Sequence, residues 1–204
     1  MADRLPTAMA RVLIVFGTTE GHTGKIASTA ADWISAKGHE VVRLDSATMP
    51  GDLDLEQFQM FLLAGSLHEE HHQKALTEFA SANADSLQRS PGLFLSVSLA
   101  AALRDGPHQA AAHRYIGKFI QETGWLPTES LSVAGALPYT RYDLVQRLFM
   151  KFIAMQEGGD TDTTRDYEYT DWSALRSSIE RFVDAHLCVG GVPLESRLGT
   201  SSSA

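Results

Sequence analysis

Three threonines and a glycine fall within a span of six residues, Thr18, Thr19, Gly21 and Thr23, inside the segment RVLIVFGTTEGHTGKIASTA that runs from Arg11 to Ala30. Hydroxyls donate to anionic oxygens, and glycine lets the backbone approach them closely. Ahead of the group, Val12 to Phe16 is an unbroken apolar run, the pattern of a strand covered on both faces. Behind it, Ile26, Ala27, Ala30, Trp33 and Ile34 recur at helical spacing, with Gly38 placed to stop the helix. The predicted unit is a strand, a tight loop and a helix N-terminus. The free N–H groups of the first helical turn and the helix dipole make that spot favourable for an anion.

The loop is not a Walker loop. Gly24-Lys25 has Thr19 where the Walker pattern needs glycine, Ile26 replaces the metal-binding hydroxyl, and GxGxxG is also absent. A hydroxyl-rich loop with no lysine inside it suits the monophosphate of FMN, held by neutral donors over the stretch Thr18, Thr19, Glu20, Gly21, His22 and Thr23. The same residues also fit an ordinary βα turn with a threonine-rich helix start. Glu20 is unfavourable beside a dianion unless its carboxylate faces water and only its N–H faces the phosphate.

His68-Glu69-Glu70-His71-His72 matches the H-E-x-x-H zinc pattern. That motif needs a helix with both histidines on one face, whereas this one follows directly on a buried strand and Gly65-Ser66 and reads as a loop. No metal site is expected. The segment reads either as the wall of a ligand crevice, with His68 near the bound ring, or as a solvated polar loop.

Elements that would position these residues alternate regularly. Strands are predicted at Val12–Phe16, His39–Leu44, Met60–Ala64, Leu93–Ser98 and Ser130–Gly135. Helices follow with inward faces at Leu76, Phe79, Ala80 and Leu87, at Ala112, Ile116, Phe119 and Ile120, and at Trp172, Leu175, Ile179, Phe182, Val183 and His186. Residues 99–107 read as a loop, Gly124 as a helix stop, and Thr170-Asp171 as an N-cap pair. The pattern predicts an α/β doubly wound five-stranded parallel sheet of order 2-1-3-4-5, with its ligand crevice at the carboxyl ends of strands one and three. Ser66, Leu67 and His68 would line that crevice together with Ser98, Leu99 and Ala100.

The segment 136–169 is too long for an αβ connection and reads as an insertion after or within strand five. Within it, DLVQRLFMKFIAMQ (Asp143 to Gln156) is helical by period. Asp143, Arg147 and Lys151 form a narrow polar stripe beside a wide apolar surface. That surface must meet the domain core, a partner, a membrane or a large apolar substrate.

Composition narrows the options. The chain has 204 residues, 44% of them hydrophobic, a net charge of −8 and one cysteine, Cys188. That suits one core domain over 11–187, a tail at 1–10 and a disordered tail at 188–204. The charge argues against a nucleic-acid partner, and the single cysteine rules out a disulfide framework. The chain reads as cytoplasmic, and peripheral attachment to a membrane stays open, as does the oligomeric state.

Taken together, FGTTEGHT, GSLHEEHH and VAGALPYTRYDLVQRLFMKFIAMQEGGDTDTTRDYEYTDW resemble the flavodoxin-like, menaquinone-dependent protoporphyrinogen oxidases, over Arg11 to about Leu187. The insertion carries the most specific part of the likeness. The resemblance implies one FMN, oxidation of protoporphyrinogen IX to protoporphyrin IX for haem synthesis, a quinone as acceptor and association with the inner membrane. It implies that Thr18 to Thr23 hold the phosphate and that Ser66 to His68 and Ser98 to Ala100 flank the isoalloxazine. Residues 141–156 would contact substrate or membrane. A porphyrinogen's propionates call for arginine, and Arg141 and Arg104 are the candidates. No general base is assigned. Neither crevice loop, 66–72 nor 98–106, contains Tyr or Trp, which leaves a flavin face open to a substrate and favours an enzyme. The alternative is a flavodoxin that only carries electrons.

Overall fold

In the computed structural model, residues 9–103, 106–137 and 167–187 are described. Arg104, Arg141 and the helix expected at 143–156 lie outside them, as do residues 1–8 and 188–204. Strands β1 (Arg11–Gly17), β2 (Glu40–Asp45), β3 (Met60–His68), β5 (Gly92–Ser98) and β6 (Glu129–Ala134) form a sheet of order β2-β1-β3-β5-β6, all parallel. This is the doubly wound order expected from the sequence, with the chain switching direction between β1 and β3.

Alternation along the strands divides the core. Val12, Ile14 and Phe16 of β1 face α1 (His22–Ala36) and the last helix, α5 (Trp172–Leu187), which contributes Leu175, Ile179, Phe182 and Val183. Leu13 and Val15 face the other layer, built from α2 (Lys74–Ala82), α3 (Ala84–Leu87) and α4 (Gly106–Thr123). Trp125 is fully buried in that second layer. Both faces of β1 are therefore apolar, the cause of its unbroken hydrophobic run.

Four expectations are corrected. β3 does not stop at Gly65-Ser66. It runs on to His68 and turns back as β4 (His71–His72), so the H-E-x-x-H segment is a hairpin pairing Leu67 with His72 and His68 with His71. The helix expected to reach Leu87 breaks at Asn83, whose φ is −119° and whose Nδ2 donates to Phe79 O at 2.8 Å. The loop 99–107 holds a 3₁₀ turn at Ala100–Ala102, and α4 begins at Gly106. His186 is exposed, lying against the Phe182 ring at 4.6 Å, because Leu187, one turn beyond Val183, packs on the core in its place.

The insertion has a defined base. β7 (Ala136–Leu137) pairs antiparallel with β8 (Tyr167–Glu168), so the chain leaves the sheet just after β6 and returns beside its exit.

Candidate functional site

The carboxyl ends of β1, β3 and β5 bring Gly17, Ser66 and Ser98 to one edge of the sheet. From Gly17 the chain turns through Thr18–Gly21 into α1. Gly21 has φ +89°, which glycine adopts without strain, and α1 starts at His22 with no side chain capping it. Thr18 Oγ1 accepts the Gly21 N–H at 2.9 Å, which folds the loop into a cup over the helix end. Thr23 is 1% exposed and its Oγ1 has no hydrogen-bond partner. Glu20 is exposed, with its carboxylate toward water, the one arrangement in which a dianion tolerates it. An uncapped helix start and an unpartnered buried hydroxyl form a donor set of the kind a phosphate satisfies.

His22 and Lys25 belong to a different cluster. His22 Nε2 lies 2.8 Å from Thr170 Oγ1, which donates its own hydrogen to Ala134 O at 2.7 Å. The imidazole is therefore the donor to Thr170, and only the His22 backbone N–H remains for the loop. Burial lowers the His22 pKa; Glu168 opposes the shift and Lys25 adds to it. Lys25 Nζ donates to Glu168 Oε2 at 2.6 Å and lies 5.2 Å from the Trp172 ring centroid, while Trp172 Nε1 donates to Glu168 Oε1. Burial raises the Glu168 pKa, but these hydrogen bonds and the Lys25 charge outweigh it and leave the carboxyl below its ordinary value. The cation next to the Thr18–Thr23 loop is thus engaged by β8. Sequence reasoning missed Glu168 and Thr170, because their partners lie about 145 positions away in the chain.

Across the crevice stands the hairpin. Its two-residue turn, Glu69-Glu70, has φ +48° and +64°, a type I′ geometry that glutamates adopt reluctantly. Contacts from α4 hold it. Lys118 Nζ donates to Glu70 O at 3.2 Å and lies 3.0 Å from His71 Nε2, and Glu122 is 3.6 Å from His71 Nδ1. The two motif histidines part company: His68 is exposed at the rim, and His72 is buried beneath it. His72 Nε2 is 3.0 Å from Ser96 Oγ, and its ring meets Phe94 and Phe119 edge-on at 5.2 and 5.1 Å. Burial, with lesser help from His71 and Lys118, pushes its pKa down to about 4. The hairpin is a fixed wall with an imidazole peg in the core.

The third side is the β5 exit. Ser98 is buried, its Oγ accepts the Ala101 N–H at 3.3 Å, and Leu99 and Ala100 are half-buried in the turn that follows. Gly135 N–H donates to Ser98 O at 3.1 Å, which links this turn to the root of the insertion. The structure therefore gathers Thr18–Thr23, Ser66–His68 and Ser98–Ala100 at the same sheet edge.

Known proteins agree with this architecture. Residues 13–164 match the family described as Flavodoxin domain. The protoporphyrinogen IX dehydrogenase [quinone] of Leishmania major is 31% identical over 191 residues, 93% of this chain and 80% of the relative. The enzyme of the same name from Escherichia coli strain K12 is 31% identical over 179 residues, 87% of this chain and 96% of the relative. Among solved structures, an apo NADH:FMN oxidoreductase superposes with a TM-score of 0.52 at 13% identity, covering 91% of this chain and 92% of its own, a likeness of fold. The chain is a flavodoxin-like oxidoreductase and belongs to the flavodoxin-domain family that includes the protoporphyrinogen IX dehydrogenases.

Proposed function

We propose that the protein binds one FMN at the β1, β3 and β5 exits, oxidises protoporphyrinogen IX to protoporphyrin IX, and passes the electrons to a quinone. Both relatives carry that activity in their names and align over most of this chain. The observation that supports it best is where the insertion is rooted. Its base, Ala136–Leu137 with Tyr167–Glu168, leaves and rejoins the chain at the crevice edge of the sheet and is tied to the first turn of α1 through Glu168. An additional segment rooted there would border the bound flavin, where a bulky substrate must lie. An electron carrier has no need of it.

Bound FMN supplies the hydride-accepting ring. The chain's own residues do the rest. The Thr18–Thr23 loop anchors the phosphate through neutral donors, and Ser66–His68 and Ser98–Ala100 border the ring. These two borders carry no Tyr or Trp, which leaves a ring face for the tetrapyrrole. Arg141 and Arg104 would meet its propionates. The apolar surface of 141–156 would contact substrate or the membrane that holds the quinone; among the described residues, no helix is long and apolar enough to cross a membrane.

The test is porphyrin fluorescence under anaerobic conditions, with FMN-loaded protein, protoporphyrinogen IX and a short-chain menaquinone. Turnover that requires both flavin and quinone is expected. Phe149→Glu combined with Phe152→Glu should leave FMN bound and the far-UV spectrum intact while abolishing turnover or releasing the protein from anionic vesicles. Tight FMN binding without porphyrin formation by the wild type would instead mark an electron carrier.

A further inference from the structure

Two glycines lie side by side where β1 and β3 leave the sheet, Gly17 paired with Gly65. A Cβ on Gly17 would come 2.8 Å from Gln73 Oε1 and 2.9 Å from Gln73 Cβ; one on Gly65 would come 2.8 Å from Leu76 Cδ2 and 3.0 Å from His72 Cδ2. The pair opens a trench on the α2 face of the sheet, and the junction between β4 and α2 fills it. His72 pins that junction into the core. Gln73, the next residue, runs along the trench to the phosphate loop. Its Nε2 donates to Thr19 Oγ1 at 3.0 Å and to Ser66 Oγ. Its Oε1 is buried and has no hydrogen-bond partner.

The direction of these bonds matters. A hydroxyl that accepts an N–H keeps its own hydrogen to donate elsewhere. Gly21 N–H does this for Thr18, and the Gln73 amide does it for Thr19 and Ser66. Three hydroxyls around the crevice are thereby acceptors toward the protein and donors outward. A phosphate dianion accepts only, so an outward donor set is the one that binds it. The amide also ties the phosphate loop to the end of β3, fixing the spacing between two sides of the crevice.

We infer that Gln73 is a positioning residue for the flavin phosphate: it presets Thr19 as a donor and, through its bond to Ser66, holds the phosphate loop against the exit of β3. This rests on reading the crevice as an FMN site, and it does not require Gln73 to touch the flavin.

Two substitutions separate direction from packing. Gln73→Leu keeps bulk and removes the donors. Gln73→Glu keeps shape but reverses the polarity, since an ionised carboxylate draws the Thr19 and Ser66 hydrogens inward. Affinities for FMN and riboflavin are read by flavin fluorescence quenching at pH 8, with far-UV spectra and melting curves of the flavin-free protein as the control of fold. The FMN Kd should rise about ten-fold in Gln73→Leu and about a hundred-fold in Gln73→Glu, the scale of hydrogen bonds to a charged group. Riboflavin should change less than about three-fold, because it lacks the phosphate that Thr19 is preset to hold. Lowering the pH toward 5 should restore part of the FMN affinity of Gln73→Glu as its carboxyl regains a proton to donate, and a purely structural role would give no such profile. Should either variant fail to fold, Thr19→Val removes the other end of the contact and should show the same selective loss of FMN affinity. Equal losses for FMN and riboflavin, or wild-type FMN affinity in Gln73→Glu at pH 8, would overturn the inference. Wild-type protein that binds FMN no better than riboflavin would overturn the phosphate-loop reading itself, together with this inference.

Discussion

Acid should loosen the protein through His72. The imidazole is 6% exposed, hydrogen-bonded to Ser96 and enclosed by Phe94 and Phe119, and burial lowers its pKa from 6.5 to about 4. A histidine with a depressed folded pKa takes up its proton more readily in the unfolded chain, so protonation favours unfolding. Its contribution to stability is complete above about pH 6.5, declines as the pH falls from there to about 4, and changes no further below. Each pKa unit corresponds to ~1.4 kcal/mol, which gives a loss of about 2 kcal/mol between pH 7.5 and 5 and about 3 kcal/mol in all. The assay is urea unfolding of flavin-free wild type and His72→Gln from pH 7.5 to 5. Glutamine fills much of the space and can still bond to Ser96, but it does not titrate. Carboxylates and the other histidines titrate alike in both proteins, so they cancel in the difference. The wild type should start ahead, and its advantage should shrink by about 2 kcal/mol across that range. A difference that does not vary with pH would refute the reasoning, because it would mean that His72 titrates alike in the folded and unfolded chains.

Two further outcomes follow from unpaired or paired groups on α1. Thr23→Val removes a buried hydroxyl with no partner, so the flavin-free protein should gain about 1 kcal/mol in urea unfolding. The same change should weaken FMN about ten-fold or more with little effect on riboflavin; a stability loss with unchanged FMN affinity would mean that the hydroxyl serves the fold. A double-mutant cycle of Lys25→Ala with Glu168→Ala should give a coupling of about 1 kcal/mol or less at physiological salt, since Lys25 is largely exposed. A coupling of several kcal/mol would show that the pair is shielded from solvent.

Apolar pattern carries the fold because a strand buried on both faces must be hydrophobic at every position and a helix at every third or fourth. Val12 to Phe16 and the stripes of α1 and α4 met those conditions, and the doubly wound order followed. The hairpin at His68–His72 was not legible for the opposite reason. Its turn is Glu69-Glu70, with neither glycine nor asparagine to announce positive φ, and it is held by Lys118 and Glu122 from another element. In the site, the threonines stood out as a cluster of small hydroxylated residues at a strand-to-helix junction, a pattern that an ordinary capped βα turn shares. Gln73 did not, because a glutamine before a helix is ordinary. Only the pairing of Gly17 with Gly65, a tertiary fact, gives its side chain a trench to occupy. His186 shows the limit of periodicity: at the end of the helix Leu187 rather than His186 packs on the core, and that one-position difference turned an expected core residue outward.

The remaining question is why a loop proposed to hold a phosphate, in a chain of net charge −8, contains no cation and has a glutamate at position 20. A lysine in the loop would attract any polyanion at a distance of about a Debye length, ~8 Å in physiological salt, whatever its shape. Hydroxyls and amides act only at contact, so they reward a phosphate that arrives at the right place on a ligand already seated by its ring. On the proposed reading, selectivity among anions then depends on how rigidly the donors are held. That rigidity is what the surroundings supply: Gly21 N–H fixes Thr18, Gln73 fixes Thr19, and the His72 peg fixes Gln73. The cation that does stand nearby, Lys25, is turned away to Glu168, at the root of the insertion. That contact ties β8 to the first turn of α1 and, on the proposed reading, leaves the phosphate to neutral donors. On the proposed reading, a protein that binds a flavin by geometry and a large substrate beside it would need both arrangements at once, and the N-terminus of α1 is where they would meet.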